Sequence, residues 1–268
     1  MTSESHPRFS FIVTVFNGDA FLEETLLSFL HQTESDWEAV IVDDGSTDRT
    51  ASILDRYQAL DARFQVFHDT RLGRIPALNK AIGLANGAYI VINDADDISV
   101  PNRLRIQYGY LEEHPDVGMV GAFANMIDPE GNDLHEIISA PTEDKDIRCV
   151  LIRFNPFVHS TIMYRADVLR AAGNYRETFL PGFEWEMCVN IMKISHVANI
   201  SQTLVAYRVH ANSLTRTRNV LKRLVNVTRA RWFVFREMRY PFKDFPLVFM
   251  GFTDVLPKSF VQWLRTLR

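Results

Sequence analysis

Residues Gly87 to Asp97 read GAYIVINDADD, and this stretch decides the fold. Tyr89 to Ile92 is short, apolar and β-branched, which predicts a strand buried on both faces of a sheet. The strand runs directly into Asp94, Asp96 and Asp97. Three carboxylates within four residues repel one another, and a hard divalent cation would offset that repulsion. An acidic turn that only caps the next helix is the simpler alternative.

Strand-like and helix-like segments alternate along the first half of the chain. This alternation predicts a doubly wound, mostly parallel α/β sheet. The predicted strands are Phe9–Phe16, Trp37–Val42, Phe64–Phe67, Tyr89–Ile92 and Val117–Phe123. The second half is less regular. Its predicted elements are a short helix from Thr142 to Arg153, a strand Val158–Tyr164, a helix Glu184–Ile194 and a strand Leu204–Val209.

Three of the predicted strands end in polar clusters, at Thr14–Asn17, Asp43–Ser46 and Asn93–Asp97. Because parallel strands end at the same edge of a doubly wound sheet, these clusters are expected to build one ligand cleft. The chain has no G-x-x-x-x-G-K-[ST] and no G-x-G-x-x-G, which excludes a P-loop and a dinucleotide fingerprint. An acidic cleft repels a diphosphate, so we expect phosphate binding through a cation.

Composition limits the class of protein. The chain has 268 residues, 47% of them hydrophobic, which is enough for one large domain or a domain with an appendage. Cys149 and Cys188 match no metal or redox spacing, so both are expected to be buried thiols in a reducing compartment. No signal segment and no apolar run of membrane-spanning length is visible, which predicts a cytoplasmic location.

Four sequence elements together resemble the family 2 glycosyltransferases. Phe9–Asn17 is similar to the family's V-S-V-I-I-P-x-Y-N, and Val42–Asp48 to V-D-D-G-S-x-D. Leu72–Tyr89 resembles the run N-x-G-x-x-x-x-x-N-x-G-x-x-x-A-x-G-x-Y, and Asp94–Asp97 the D-x-D-D box. The resemblance covers Phe9 to Thr215 and implies the GT-A fold. It implies a catalytic domain at 1–215, with a nucleotide-sugar half at about 8–125 and an acceptor half at about 126–215.

The resemblance also implies a donor site. Its residues would be Thr14, Phe16, Asn17, Asp44, Arg74, Asp94 and Asp96. Phe16 matches the aromatic against the nucleobase, and Asp44 matches the acceptor of a uracil hydrogen bond, which favours a UDP-sugar. Asp94 matches the nucleoside-sugar contact, and Asp96 the ligand of Mn²⁺ or Mg²⁺. A helix cap remains the alternative for Asp44, and an ordinary surface arginine for Arg74.

Glu184 is the predicted catalytic base. The family places this carboxylate in E-D-x-D-L-W, which corresponds here to Phe183–Cys188. Glu184 then stands at the base position, and Phe183 replaces the preceding acid. Glu186 is the alternative base and an acceptor-side candidate. Both glutamates would also favour a helix N-terminus without any catalytic role.

Two further motifs resemble parts of the family's site. Asn155–Ser160 is similar to N-P-x-x-H-S/P-S/T, which implies that His159 orients an acceptor hydroxyl. Tyr207–Ser213 resembles Y-R-x-H-x-x-S, which implies that Arg208 or His210 contacts the donor diphosphate or the metal. His210 is the favoured metal ligand, and Arg208 is assigned to the acceptor side. A structural role is the alternative for His159.

The C-terminal segment 216–268 carries the opposite charge to the rest of the chain. It holds 12 Lys and Arg against three acids, whereas the first 215 residues hold 17 against 30. Arginines interleaved with aromatics can bind nucleic acid or an anionic lipid surface, or can simply pack on the fold. We favour peripheral membrane contact and no nucleic acid. Pro241, Pro246 and Pro257 predict short helices rather than one span.

The sequence thus predicts an inverting, metal-dependent glycosyltransferase. A sugar would move from a nucleotide donor to a hydroxyl of a glycan or lipid-linked acceptor. A sugar-nucleotide pyrophosphorylase would need a basic, glycine-rich loop near the N-terminus, and Thr14–Phe21 offers none. A degenerate transferase that only binds or scaffolds is the other alternative, suggested by the departure at Phe183.

Overall fold

A computed structural model describes residues 6–177, 182–210 and 220–254. Their strands are β1 (Phe9–Val15), β2 (Trp37–Asp43), β3 (Phe64–His68), β4 (Tyr89–Ile92), β5 (Ile98–Ser99), β6 (Val117–Ile127), β7 (Asp133–Ile138), β8 (Met163–Arg165) and β9 (His196–Arg208). Their α-helices are α1 (Leu22–Leu30), α2 (Thr50–Leu60), α3 (Arg74–Leu84), α4 (Arg103–Glu113), α5 (Asp144–Val150), α6 (Ala166–Ala172), α7 (Phe183–Met192) and α8 (Val220–Glu237). Within the same residues, 3-10 segments lie at His159–Thr161 and Phe242–Asp254.

One sheet runs through the described part of the chain in the order β3-β2-β1-β4-β8-β6-β9-β5, and β7 pairs with β6 as a branch from this order. The first four strands pair in parallel. Strand β8 is antiparallel to both β4 and β6, while β6 and β9 are parallel. The sheet is therefore mixed: β3, β2, β1 and β4 form a parallel half, and the antiparallel β8 joins this half to β6.

Two apolar layers cover the sheet, because side chains along a strand alternate between its faces. Phe11 and Val13 pack with α1, α2 and α4 on one face. Ile12 and Ile90 pack with α3, α7 and α8 on the other face. Strands β1, β2 and β4 are buried on both faces, as their nearly continuous apolar sequences predict.

The second half departs from the predicted elements. The predicted strand Val158–Tyr164 is instead a 3-10 turn followed by the short β8, because Thr161 bonds back to the Val158 carbonyl through its amide and its hydroxyl. The last strand, predicted at Leu204–Val209, begins at His196, where it joins β6. Cys188 is buried as expected, but Cys149 is exposed on α5.

The described part of the C-terminal segment begins with a long helix. Helix α8 runs for 18 residues without a break, because Pro241 and Pro246 both lie beyond its end. Residues 255–268, including Pro257, lie outside the described residues. Within the described ranges, no helix is both long and apolar enough to cross a membrane.

Candidate active site

The carboxyl ends of β1, β2 and β4 meet at one edge of the sheet. The Asp44 amide donates to the Val15 carbonyl (2.8 Å), and the Asn93 amide donates to the Ile12 carbonyl (3.1 Å). These bonds continue the parallel register beyond the strands. The three polar clusters therefore line a single cleft, as expected for the open edge of such a sheet.

The first part of the cleft holds the residues assigned to the nucleobase. Phe16 is 43% exposed, whereas Asp44 is buried. The Asp44 carboxylate accepts hydrogen bonds from the backbone amides of Leu72 (2.6 Å) and Gly73 (3.1 Å), and forms an ion pair with Arg71. The guanidinium of Arg71 lies 3.5 Å over the centre of the Phe16 ring. Arg71 is thus a site residue that the sequence did not reveal.

Thr14 and Asn17 flank these residues. Thr14 is partly buried near the end of β1. Asn17 has a left-handed backbone (φ 51°), and its side-chain oxygen accepts a hydrogen bond from the Thr47 amide (2.8 Å). Asn17 therefore holds the loop after β2 against the end of β1.

The second part of the cleft is the acidic cluster Asp94, Asp96 and Asp97. One carboxylate oxygen from each lies within 4.8 Å of the others. Each also has a partner outside the cluster. The Asp94 carboxylate accepts from Arg74 Nη2 (2.6 Å), and Asp97 accepts from the Arg208 amide (2.8 Å). His210 Nε2 lies 2.8 Å from Asp96 Oδ2.

The three carboxyls titrate differently. Burial raises the pKa of Asp94, but the charge of Arg74 and the nearby His159 outweigh burial and hold that pKa well below its usual range. Burial and the charge of Asp94 raise the pKa of Asp96, although His210 opposes the shift. Burial and the charges of both neighbours raise the pKa of Asp97 well above its usual range. The cluster concentrates more negative charge than its surroundings neutralise.

The residues of this cluster fit a divalent cation. Carboxylate oxygens are the ligands that Mg²⁺ and Mn²⁺ prefer, and the cluster offers three within one small volume. The imidazole of His210 approaches the same oxygen of Asp96. Asp96 and His210, the two predicted metal ligands, are therefore neighbours in the structure.

Arg74 connects the acidic cluster with the predicted base. Burial lowers the pKa of Arg74, but the charges of Asp94, Glu184 and Asp96 outweigh burial and raise it. Glu184 lies in the first turn of α7 and is partly buried. The carboxylate of Glu184 and the acidic cluster therefore act on the same guanidinium from two elements that are distant in sequence.

A group of aromatic rings packs against Arg74. The Phe183 ring is 5.7 Å from the Arg74 guanidinium and makes edge contacts with His159 (5.5 Å) and Tyr175 (5.6 Å). His159 is buried, and its Nδ1 lies 3.5 Å from Asp94 Oδ1. Phe183, the departure from the family pattern, thus supports the site through packing.

Glu186 and Arg208 lie away from the cleft surface. Glu186 is buried on α7 beside Arg176 (3.3 Å), and burial raises its pKa. The Arg208 side chain has no exposed surface; it donates to the carbonyls of Asp96, Asp128 and Pro129 and to the Glu24 carboxylate. The sequence assigned Arg208 to the acceptor side, but these contacts make it a brace for the acidic turn. The acceptor-side assignment itself stays a prediction.

Arg103 is a second buried brace that the sequence analysis missed. Its guanidinium donates to the Asn93 side chain (2.9 Å) and the Ile92 carbonyl (2.9 Å) at the end of β4. The sequence offered one indication of this role: Arg103 follows the acidic stretch closely and stands at the start of α4. An arginine on a predicted surface helix gives no sign of burial, so that signal is weak.

Comparison with known proteins identifies the class. Residues 10–173 match the family described as Glycosyl transferase family 2. The O-antigen biosynthesis glycosyltransferase WbnJ of Escherichia coli is 31% identical over 212 residues, which are 76% of this chain and 80% of WbnJ. The family match and this relative define a glycosyltransferase. The chain belongs to glycosyltransferase family 2.

Solved structures support the fold. S. aureus TarS 1-349 in complex with UDP-GlcNAc matches with a TM-score of 0.65 at 17% identity, over 86% of this chain and 66% of that one. The mannosyltransferase PcManGT from Pyrobaculum calidifontis, in complex with GDP-Man and Mn²⁺, matches with a TM-score of 0.64 at 20% identity, over 91% of this chain and 69% of that one. The predicted GT-A fold and transferase class are confirmed.

Proposed function

We propose that this chain is an inverting, metal-dependent transferase that moves a sugar from a UDP-sugar to a hydroxyl of a glycan or lipid-linked acceptor. One observation carries the proposal: a cluster of three carboxylates includes Asp94, which binds Arg74 at 2.6 Å, and the charge of the partly buried Glu184 acts on the same arginine. A cation-binding site for a diphosphate and a base for an acceptor hydroxyl are the two groups that such a transfer needs. The UDP-GlcNAc complex of TarS supports the choice of donor class.

In this proposal the donor lies along the edge of the sheet. Phe16 stacks on the base, Asp44 accepts a hydrogen bond from it, and Asp94 contacts the ribose. Asp96 and His210 would hold Mn²⁺ or Mg²⁺. When bound, the cation neutralises charge on the diphosphate and on the departing nucleotide. His159 and Arg74 keep Asp94 ionised and fixed.

The transfer itself is a single displacement. The acceptor oxygen forms a bond to the anomeric carbon, while the bond from that carbon to the phosphate oxygen breaks and its electron pair leaves with UDP. The Glu184 carboxylate takes the hydroxyl proton from the face opposite the leaving group, which inverts the anomeric configuration. Phe183 and Tyr175 exclude water from this side, which limits hydrolysis of the donor.

The decisive experiment is donor turnover. A panel of nucleotide sugars is incubated with the protein, with and without Mn²⁺, for wild type, Asp96→Asn and the control Asp133→Asn on the exposed β7. We expect one metal-dependent donor, loss of turnover in Asp96→Asn and no change in Asp133→Asn. Metal-independent turnover, or turnover that survives Asp96→Asn, would contradict the proposal.

We also propose a location for this reaction. The segment 216–268 would hold the enzyme against the cytoplasmic face of a membrane, close to a lipid-linked acceptor. Its described part exposes Trp232, Phe242 and Phe249 beside arginines such as Arg229 and Arg236. Aromatic and cationic side chains together favour an anionic lipid surface.

A further inference from the structure

Arg71 lies where the proposed function needs the nucleobase to lie. Its guanidinium is stacked 3.5 Å over the Phe16 ring, and the same group forms an ion pair with the Asp44 carboxylate. Asp44 is nearly inaccessible, while the Arg71 side chain is 54% exposed. The flat cation therefore covers both groups that are assigned to recognise the base.

The backbone around Arg71 is held firmly, so its side chain is the part that can move. The Asp44 carboxylate binds the amides of Leu72 and Gly73, and the Asp69 amide donates to the Asp43 carbonyl (2.9 Å). Gly45 has a left-handed backbone (φ 75°), and a Cβ there would lie 2.9 Å from the Arg71 nitrogen. The loop after β3 is thus packed against the loop after β2 through backbone contacts that only a glycine permits.

We propose that Arg71 holds the place of the nucleobase in the donor-free enzyme and that the donor's base exchanges with it. This inference rests on the proposed function. Uracil can replace both contacts of Arg71, because its flat ring can stack on Phe16 and its N–H can donate to Asp44. A base with an acceptor at that position, such as cytosine at N3, cannot replace the lost N–H and faces the carboxylate with a lone pair. Arg71 is then an autoinhibitory contact that weakens binding of every nucleotide, while Asp44 supplies the preference for uracil.

Nucleotide binding tests the exchange. We would measure the Kd of UDP and of CDP with Mn²⁺ by calorimetry for wild type, Arg71→Ala and Arg71→Lys. Displacing a half-exposed ion pair and a cation–π contact weakens binding by about three- to tenfold, so Arg71→Ala is expected to bind UDP tighter by that factor. The preference for UDP over CDP should stay the same, since the cost of displacing Arg71 belongs to the free enzyme and is common to both nucleotides. Arg71→Lys loses the planar group but keeps the charge, so it should also tighten UDP binding.

Arg56→Ala is the matched control. Arg56 is 58% exposed and forms an ion pair with Glu23, so this change removes one surface cation without touching Phe16 or Asp44. Its Kd should equal that of wild type. UDP binding to Arg71→Ala that is unchanged or weaker than wild type would overturn this inference alone. If neither wild type nor Arg71→Ala bound any nucleotide, the proposed function would fail together with it.

Discussion

Arg74 lies between the acidic cluster and Glu184, the predicted base, and interacts with both. Arg74 forms an ion pair with Asp94, and its guanidinium lies 5.7 Å from the Phe183 ring. The charge of Glu184 helps to raise the pKa of Arg74. The partly buried guanidinium holds the pKa of Asp94 well below its usual range, because the ion pair favours the charged form of that carboxyl. Arg74 therefore connects the acidic cluster with the first turn of α7, which carries Glu184.

The first prediction concerns Glu184. Glu184→Gln keeps the size of the side chain but removes its ability to accept a proton, so kcat should fall by about 100- to 10,000-fold. The Kd for UDP should stay near that of wild type, because Glu184 is proposed to act on the acceptor hydroxyl and not on the nucleotide. Single-turnover transfer and nucleotide calorimetry measure the two effects separately.

Glu186→Gln is the control for that prediction, since Glu186 lies two residues along the same helix and is buried beside Arg176. We expect its kcat to stay within a few-fold of wild type. A large loss in Glu186→Gln with near-normal activity in Glu184→Gln would reverse the assignment of the base.

Site residues differ in how far the sequence could reveal them. Asp94 and Asp96 were predictable because their chemistry is local: carboxylates at the end of a buried strand. Arg71 and Arg208 were not, because their roles depend on partners brought together by the fold. Arg71 meets Asp44 across 27 residues, and Arg208 meets Glu24 across 184. A basic side chain in a loop is as compatible with solvent as with either contact.

At the scale of elements, β1, β2 and β4 follow closely from their apolar sequences, since a strand buried on both faces needs little else. Strand β8 could not be predicted in the same way. It is three residues long and exists because β4 and β6 both pair with it. Helix α8 ends at Glu237, so the three prolines that the sequence singled out, Pro241, Pro246 and Pro257, all come after it in the chain.

The end of β3 supplies the second prediction, a pH dependence of stability. His68 bridges Asp43 (Nδ1 to Oδ2, 3.0 Å) on β2 and Asp55 (Nε2 to Oδ1, 3.0 Å) on α2. The hydrogen bond to Asp43, reinforced by Asp55, raises the pKa of His68 despite partial burial. A raised folded-state pKa means that protonation stabilises the fold. The stabilisation from protonated His68 is therefore complete below the unfolded-state pKa of about 6.5, and it is lost as the pH rises through the folded-state pKa.

His68→Gln cannot titrate and isolates this effect. The difference in free energy of unfolding between wild type and His68→Gln should be largest near about pH 6 and should shrink towards about pH 8. Urea denaturation at a series of pH values measures it. A difference that grows with pH would show that His68 does not act through these two carboxylates.

At the scale of the whole molecule, α8 belongs to the core as well as to the surface. Ala230 and Val234 are completely buried in the cluster that also contains Ile90 and Ile191. Val225, on the same helix, is 45% exposed. The third prediction follows: Val234→Ala should lower the free energy of unfolding by about 2 kcal/mol, because it removes buried methyl groups and leaves a cavity.

Val225→Ala is the matched control, and its effect should stay below about 0.5 kcal/mol. Chemical denaturation of both variants gives the comparison. Equal, small effects in the two variants would mean that α8 does not contribute to the core in solution, and would favour a loosely attached appendage.

The outer side of the same segment supplies the fourth prediction. Phe242 is 81% exposed and is stacked on Phe245 (5.5 Å), close in sequence to Arg239 and Lys243. A phenyl ring that is exposed to water gains free energy when it enters the lipid interface, and nearby cations are drawn to an anionic surface. Phe242→Ser should weaken binding to phosphatidylserine-containing vesicles roughly tenfold. Its transfer to a water-soluble acceptor should be unaffected.

Leu60→Ser is the control, because Leu60 is 69% exposed at the end of α2 and lies outside the C-terminal segment. Co-sedimentation with phosphatidylcholine vesicles, with and without phosphatidylserine, is measured at low and high salt for wild type and both variants. Wild type and Leu60→Ser should bind only the anionic vesicles, and salt should weaken that binding because it screens the cations. The membrane-binding proposal would fail if wild type and Phe242→Ser bound equally, or if wild type bound neither vesicle. α8 and the segment after it would then only pack on the fold.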